Sequence, residues 1–281
     1  MLIKKFLSAA SIVFALALLT STTNADNWWG TYHWARTTGS FDLTVVNSTT
    51  SDWDGYVSQS ISDWSSPIAP WTTYLTMVED PNGGTSKKTR RQCKAPDGQV
   101  RICNLAYGQT GWLGVAGIYI DAADHIVKAY TKLNDTYFAW DFYNNDAWKQ
   151  SVTCQELGHN IGLSHNDADF YNEPTGTCMD YSSDPELNQH PNDHDYEQLE
   201  IIYGHIDGYD SYLSGTSDDP DGGTEPCNAP PGKGCNKSGV GNNGDSGFGM
   251  SLSRRGQVET FIRIGPDGTR LVTFVTWAIG Y

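Results

Sequence analysis

Residues 155–165 read QELGHNIGLSH, and the reading of this stretch decides the fold. In an α-helix, residues i and i+4 share a face and sit about 6 Å apart along the axis. Gln155 and His159 therefore face one point. Glu156 is rotated from that point by about 100°, at 3.6 residues per turn, so its carboxyl lies beside it. His165 comes six residues after His159 and would leave the shared face of a continuous helix. Gly162, between them, is a residue at which a helix can stop with positive φ. The chain can then bend and return His165 to the same point. Two ligand positions on a helix, a glycine stop, a third ligand and a flanking carboxylate suit a metal ion with a polarised water.

The surrounding pattern places this helix, over roughly 146–162, in an α+β chain. FDLTVV (41–46) alternates and is β-branched, which predicts a strand. Asp52 caps a predicted helix over 53–64, whose Trp53, Tyr56, Val57, Ile61 and Trp64 form one core-facing stripe. Residues 71–77, WLGVAGIYI (112–120) and HIVKAY (125–130) read as further strands. A second helix follows Pro191, capped by Asn192 or Asp193 and running to about Tyr203. Residues 215–250 are rich in Gly, Asp, Pro, Asn and Ser and read as a linker or irregular loop. Residues 256–279 read as a hairpin turned at Gly265–Gly268. Its strands are apolar on both faces, so it must pack on something, the main domain first. The expected architecture is a mixed twisted sheet with helices packed on it and a small β-hairpin appendage. The expected boundaries are 1–25, 26–214, 215–250 and 251–281.

Residues 1–25 read as a secretory signal peptide. MLIKK precedes an apolar run of about fifteen residues, too short for a comfortable transmembrane helix, and Thr23-Asn24-Ala25 offers a cleavage site. Export fits the six cysteines, which fall in three close pairs: Cys93 with Cys103, Cys154 with Cys178, and Cys227 with Cys235. In an oxidising compartment such pairs read as disulfides. The first pair sits in the chain's one basic stretch and is expected to clamp a hairpin turned at Pro96-Asp97-Gly98. The formal charge of −15 disfavours a nucleic-acid partner and binding to anionic membranes. A hydrophobic content of 38% is that of a globular chain. The expectation is a secreted monomer acting on a protein or peptide, with no membrane contact after signal cleavage.

With His in the first position, QELGHNIGLSH would be HExxHxxGxxH, and it resembles the zinc signature of the metzincin proteases at every other fixed position. GTCMDY (176–181) resembles the Met-turn of that family, with Met179 fourteen residues past His165. DYEQLEIIYGH (195–205) resembles the C-terminal helix of the matrixin branch, in which Asp195 occupies a structural position. The resemblance implies a zinc-dependent endopeptidase. Gln155, His159 and His165 would ligate one catalytic Zn2+, with Glu156 as general base and Tyr181 helping to bind the metal or the transition state. Gly162 and Met179 would be structural. It also implies that an edge strand, WLGVAGIYI, pairs with extended substrate. The closely spaced His and Asp pattern of a matrixin structural zinc is absent between 110 and 150.

Gln155 leaves three outcomes open. Its side-chain oxygen ligates the metal; or Asp167, His190, His194, Cys154 or water supplies the third ligand; or no catalytic metal binds and the chain is a catalytically silent binding protein. A Cys154–Cys178 disulfide would tie the helix to the Met-turn and contribute about 3 kcal/mol by the chain-entropy argument. His33, His125 and His205 are isolated in sequence and read as ordinary structural or surface histidines. Asp218, Asp219 and Asp221 near Gly222 are a candidate Ca2+ site without EF-hand spacing, and linker is the better reading.

Overall fold

A computed structural model describes residues 27, 29–67, 69–213 and 247–281. The expected signal segment and nearly all of the linker, with its aspartates, lie outside these residues. Two of the three expected disulfides are present, Cys93–Cys103 and Cys154–Cys178. The third is not among them: Cys227 and Cys235 both lie outside the described residues, in the linker.

Strand β1 (Phe41–Asn47) leads into helix α1 (Ser51–Ser65) and back to β2 (Leu75–Asp80). Helix α2 (Lys87–Gln92) precedes β3 (Val100–Leu105), β4 (Trp112–Ile120) and β5 (Ile126–Asn134). The short α3 (Asp135–Phe138), α4 (Asp146–His159) and α5 (Asp193–Tyr203) follow. The chain ends with β6 (Met250–Arg255), β7 (Val258–Ile264) and β8 (Arg270–Trp277).

These strands form one mixed eight-stranded sheet in the order β2-β1-β3-β5-β4-β8-β7-β6. The pairs among β2, β1, β3 and β5 are parallel, as crossovers such as β1-α1-β2 require. From β5 through β4 to β6 the pairing is antiparallel. The α+β class is therefore as expected. The C-terminal segment is not: it is a three-stranded extension of the main sheet rather than an appended hairpin. The apolar residues on both faces of β7 and β8 are the reason, because a strand that buries both sides belongs inside a sheet, and the exposed β6 forms its edge. β4 is consequently no edge strand. It is hydrogen-bonded to β5 on one side and to β8 on the other.

Side-chain alternation divides two cores. On one face, Leu43, Ile102, Ile118 and Phe274 pack under α1 and α4 with Trp64 and Trp148. On the other, Trp112, Val115, Phe261, Leu271 and Val275 form a smaller core with Cys93 and Cys103. α1 buries Trp53, Val57, Ile61 and Trp64 of the expected stripe, with Tyr56 half-buried at its edge, and the Trp64 indole donates to the Cys154 carbonyl oxygen of α4 at 3.0 Å. The Cys93–Cys103 disulfide joins the end of α2 to β3 instead of clamping a hairpin. The chain needs a left-handed residue to stop α2, and Cys93 supplies it at φ 51°. None of the described helices is long and apolar enough to cross a membrane.

Candidate active site

Helix α4 brings the motif to the centre of the sheet. Asn145 caps it, accepting from the Trp148 amide at 2.9 Å. The helix ends at His159, and Gly162 turns the chain at φ +101°. A Cβ at Gly162 would collide with the Tyr32 carbonyl oxygen, so both the conformation and the space demand glycine. The turn does what the spacing predicts: His159 Nε2 and His165 Nε2 lie 3.3 Å apart. The other ring nitrogen of His159, Nδ1, faces the Leu163 carbonyl oxygen at 2.8 Å and must carry the proton. Nε2 is then left with its lone pair toward His165. Burial holds His159 down at about 4, and burial with the neighbouring ring holds His165 well below the usual imidazole range. Both rings are therefore held in the neutral form, which is the form that ligates a metal.

The separation also fits. Bonds of about 2.0–2.1 Å to a tetrahedral ion place adjacent ligand atoms about 3.3–3.4 Å apart. Two of the three expected ligand positions are thus assembled. The third is not. Gln155 Oε1 accepts a hydrogen bond from the Thr276 hydroxyl of β8 at 3.0 Å, and its Nε2 is buried without a partner. Of the substitutes considered for it, Cys154 is in a disulfide with Cys178, and His190 Nδ1 is 2.7 Å from Asp63 on α1. Asp167 accepts from the Asp169 amide within its own turn, and His194 lies in the first turn of α5. None of these side chains is hydrogen-bonded to either histidine.

Glu156 is fully buried beside this pair. Gly114 of β4 makes room for it, since a Cβ there would run into the carboxyl group. Burial raises Glu156 to about 8, against a smaller lowering by Thr276. Thr276 Oγ1 lies 2.8 Å from Glu156 Oε1 and 3.0 Å from Gln155 Oε1, yet a hydroxyl has one proton. A neutral Glu156 resolves the conflict: it donates to Thr276, which donates to Gln155. The other carboxyl oxygen, Oε2, has no partner.

Strand β8 covers all of this. Alternate residues Val272, Phe274 and Thr276 face the helices, opposite Ile118, Ala116 and Gly114 of β4. The Phe274 ring stacks on His159 with centroids 4.3 Å apart and planes 7° from parallel. Tyr181 donates its hydroxyl proton to the Trp277 carbonyl oxygen at 3.0 Å. Met179 is fully buried below α4, where a Cβ on Gly158 would meet its sulfur. Asp195 accepts from Asn27 Nδ2 at 2.8 Å and from the Thr177 hydroxyl, tying the start of the described chain to the Met179 turn. Reading the motif alone misses Phe274, Thr276 and Trp277. The signal that points to them is the two-sided apolar pattern of RLVTFVTW. No protein-family model matches the chain, and no curated protein matches it.

Proposed function

We propose that the chain is a secreted, zinc-dependent endopeptidase held in a self-inhibited state by its own β8. One observation carries this reading. Glu156 lies against Gly114 of β4 beside the paired His159 and His165, and the position at which a substrate strand would add to β4 is filled, antiparallel, by β8, whose Phe274 stacks on His159. Zinc bound at the two histidines would polarise the scissile carbonyl and lower the pKa of a water molecule. The chain's own groups do the rest. Gln155 Oε1 becomes free to serve as the third ligand once the Thr276 hydroxyl withdraws. Glu156, neutral while β8 buries it, returns toward the usual carboxylate range when water enters, and can then accept a proton and pass it to the leaving amine. Tyr181, which now donates to a strand carbonyl at Trp277, is positioned to donate to a substrate carbonyl instead. β4 offers the backbone hydrogen bonds that orient an extended peptide. The disulfides support export.

A second reading is favoured by Gln155 itself, whose carbonyl oxygen is a poorer zinc donor than imidazole and is engaged by Thr276. Here the chain is a catalytically silent binding protein on a protease-like scaffold. The test uses the zinc-loaded full chain and a chain ending at Leu213, each assayed on a mixture of unstructured peptides. The proposal expects cleavage by the shortened chain, lost in Glu156→Ala. Peptides left intact by both, but cut after Gln155→His, would overturn it in favour of the silent reading.

A further inference from the structure

Three histidines that are far apart in sequence meet at one carboxylate, away from the motif. His33 Nε2 lies 3.5 Å from Asp207 Oδ1 and 3.4 Å from Oδ2. His125 Nε2 and His205 Nε2 are each 3.3 Å from Oδ1. The His33 ring meets the His125 ring edge-on at 4.8 Å between centroids, and the His205 ring at 4.7 Å. Ligand atoms of His33, His125 and Asp207 lie within 4.8 Å of one another. The Asp207 side chain is only 7% exposed.

The outward-facing nitrogens show which way the lone pairs point. His33 Nδ1 is 2.7 Å from the Thr31 carbonyl oxygen, a pure acceptor, so Nδ1 carries the proton. His125 Nδ1 is 3.0 Å from the Tyr209 hydroxyl, whose own proton is given to the Asp121 carboxylate. The phenol oxygen therefore accepts from His125 Nδ1. In their neutral forms both rings aim a bare Nε2 lone pair at a carboxylate. Lone pairs facing a carboxylate repel unless a proton or a metal cation lies between them. This arrangement, with the remote ring nitrogen held by a carbonyl or a carboxylate-backed hydroxyl, is how proteins orient metal-binding imidazoles. The 3.3 Å separations of His125 and His205 from Oδ1 match the edge of a tetrahedron with bonds of about 2.0–2.1 Å, and His33 at 3.5 Å is slightly longer.

We propose that His33, His125 and Asp207 form a structural zinc site that His205, facing the same carboxylate, completes when the ion binds. Two imidazoles and one carboxylate stand within reach of one ion, and His205, on the same carboxylate oxygen, is the residue that would complete a four-coordinate set; nitrogen donors select against Mg2+ and Ca2+, which favour all-oxygen ligation. The ligands come from three segments: the lead-in before β1, the turn between β4 and β5, and the stretch after α5. Backbone bonds already bring these together, Ile126 N to His33 O at 2.7 Å and Asp207 N to Arg36 O at 2.8 Å. Zinc would cross-link chain that has little regular structure of its own, converting binding energy into folding energy. The site does not depend on the reading of Gln155, because it shares no residue with the motif.

The test counts metal in the full chain with the motif silenced. A His159→Ala/His165→Ala variant, loaded with zinc or with cobalt as a spectroscopic substitute, is dialysed and analysed. One metal per chain is expected, with the visible absorption of tetrahedral cobalt and a zinc-dependent rise in Tm. Adding His205→Ala, a half-exposed position, is expected to weaken zinc binding about a hundredfold, and Tyr209→Phe, which removes only the hydroxyl behind His125, about tenfold. If the double variant misfolds, the same two substitutions are made in the parent chain and read by cobalt absorption. A natively folded protein that holds no metal with the motif silenced would leave an ion-pair cluster and overturn the proposal. So would metal content and affinity that neither His205→Ala nor Tyr209→Phe changes.

Discussion

The two histidine clusters differ in how their ligands are delivered. His159 and His165 come from one eleven-residue stretch, and a single helix and a glycine turn bring their nitrogens to 3.3 Å. The Asp207 cluster is collected from three distant segments, and tertiary contacts bring each of its imidazoles to between 3.3 and 3.5 Å of the one carboxylate. The local cluster has an incomplete donor set and is sealed by β8. The distributed one gathers His33 and His125 on Asp207, with His205, 50% exposed, on the same carboxylate. A motif thus marks the cluster whose third position, Gln155, is a weak donor, while the cluster proposed as a zinc site carries no motif.

The largest test of this contrast attacks the seal. Phe274→Ala removes the ring stacked on His159 from a fully buried position. It is expected to cost about 3–5 kcal/mol in denaturant unfolding, through lost burial and the cavity left behind. Metal binding at the Asp207 cluster should be unchanged. A loss below about 1 kcal/mol would mean that β8 lies more loosely on α4 than its packing implies.

The next effect is electrostatic. Glu156 has its folded pKa raised from 4.5 to about 8 by burial. A raised pKa means the folded state binds the proton more tightly than the unfolded chain. The stability associated with that proton is complete below about pH 4.5 and is lost as pH rises toward 8. In metal-free protein this is about 3 kcal/mol between about pH 4.5 and 7, at roughly 1.36 kcal/mol per pH unit. His159 and His165, lowered instead, act with the opposite sign below their unfolded value of 6.5, but they are common to parent and variant. Glu156→Gln should therefore gain stability relative to the parent as pH rises from about 5 to 8, measured as the difference between two urea titrations. A flat difference would place water beside Glu156 and weaken the case for a sealed site. Thr276→Val is smaller. It removes the hydroxyl that bridges Glu156 and Gln155 and should cost about 1–2 kcal/mol.

How much of this was legible follows from the range of the interactions. The spacing in QELGHNIGLSH predicts the helix, the turn at Gly162 and the meeting of His159 with His165, because each is decided within two helical turns. The Asn192 cap and the α5 boundary are local in the same way. The role of the last strands is not. Their two-sided apolar pattern shows that they are buried, but nothing local chooses β4 as the partner, and an appendage fits the pattern equally well. The choice is made by register: Thr276 falls opposite Gly114, the position where a missing side chain leaves room for Glu156. His33, His125 and His205 are opaque for a stronger reason. Each is a single histidine in its own segment, and only the folded chain converges them on Asp207.

Helix α5 reaches both clusters and sets the finest test. Its first turn carries Asp195, which binds Thr177 next to Cys178 and Met179, and its last turn leads into His205 and Asp207. Asn192 closes the N-terminus with a capping box: its side chain accepts from the His194 amide at 2.9 Å, and Asp195 accepts from the Asn192 amide at 2.9 Å. Asn192→Ala should cost about 1 kcal/mol of stability. If the clusters are independent, zinc affinity at the Asp207 cluster will stay within about twofold of the parent value, since no ligand moves and the lost bonds lie at the far end of the helix. A parallel fall in stability and in affinity would instead show that α5 transmits strain from the Met179 turn to Asp207. The two clusters would then be parts of one coupled unit, and ion binding at one would be expected to change affinity at the other by the same factor in both directions.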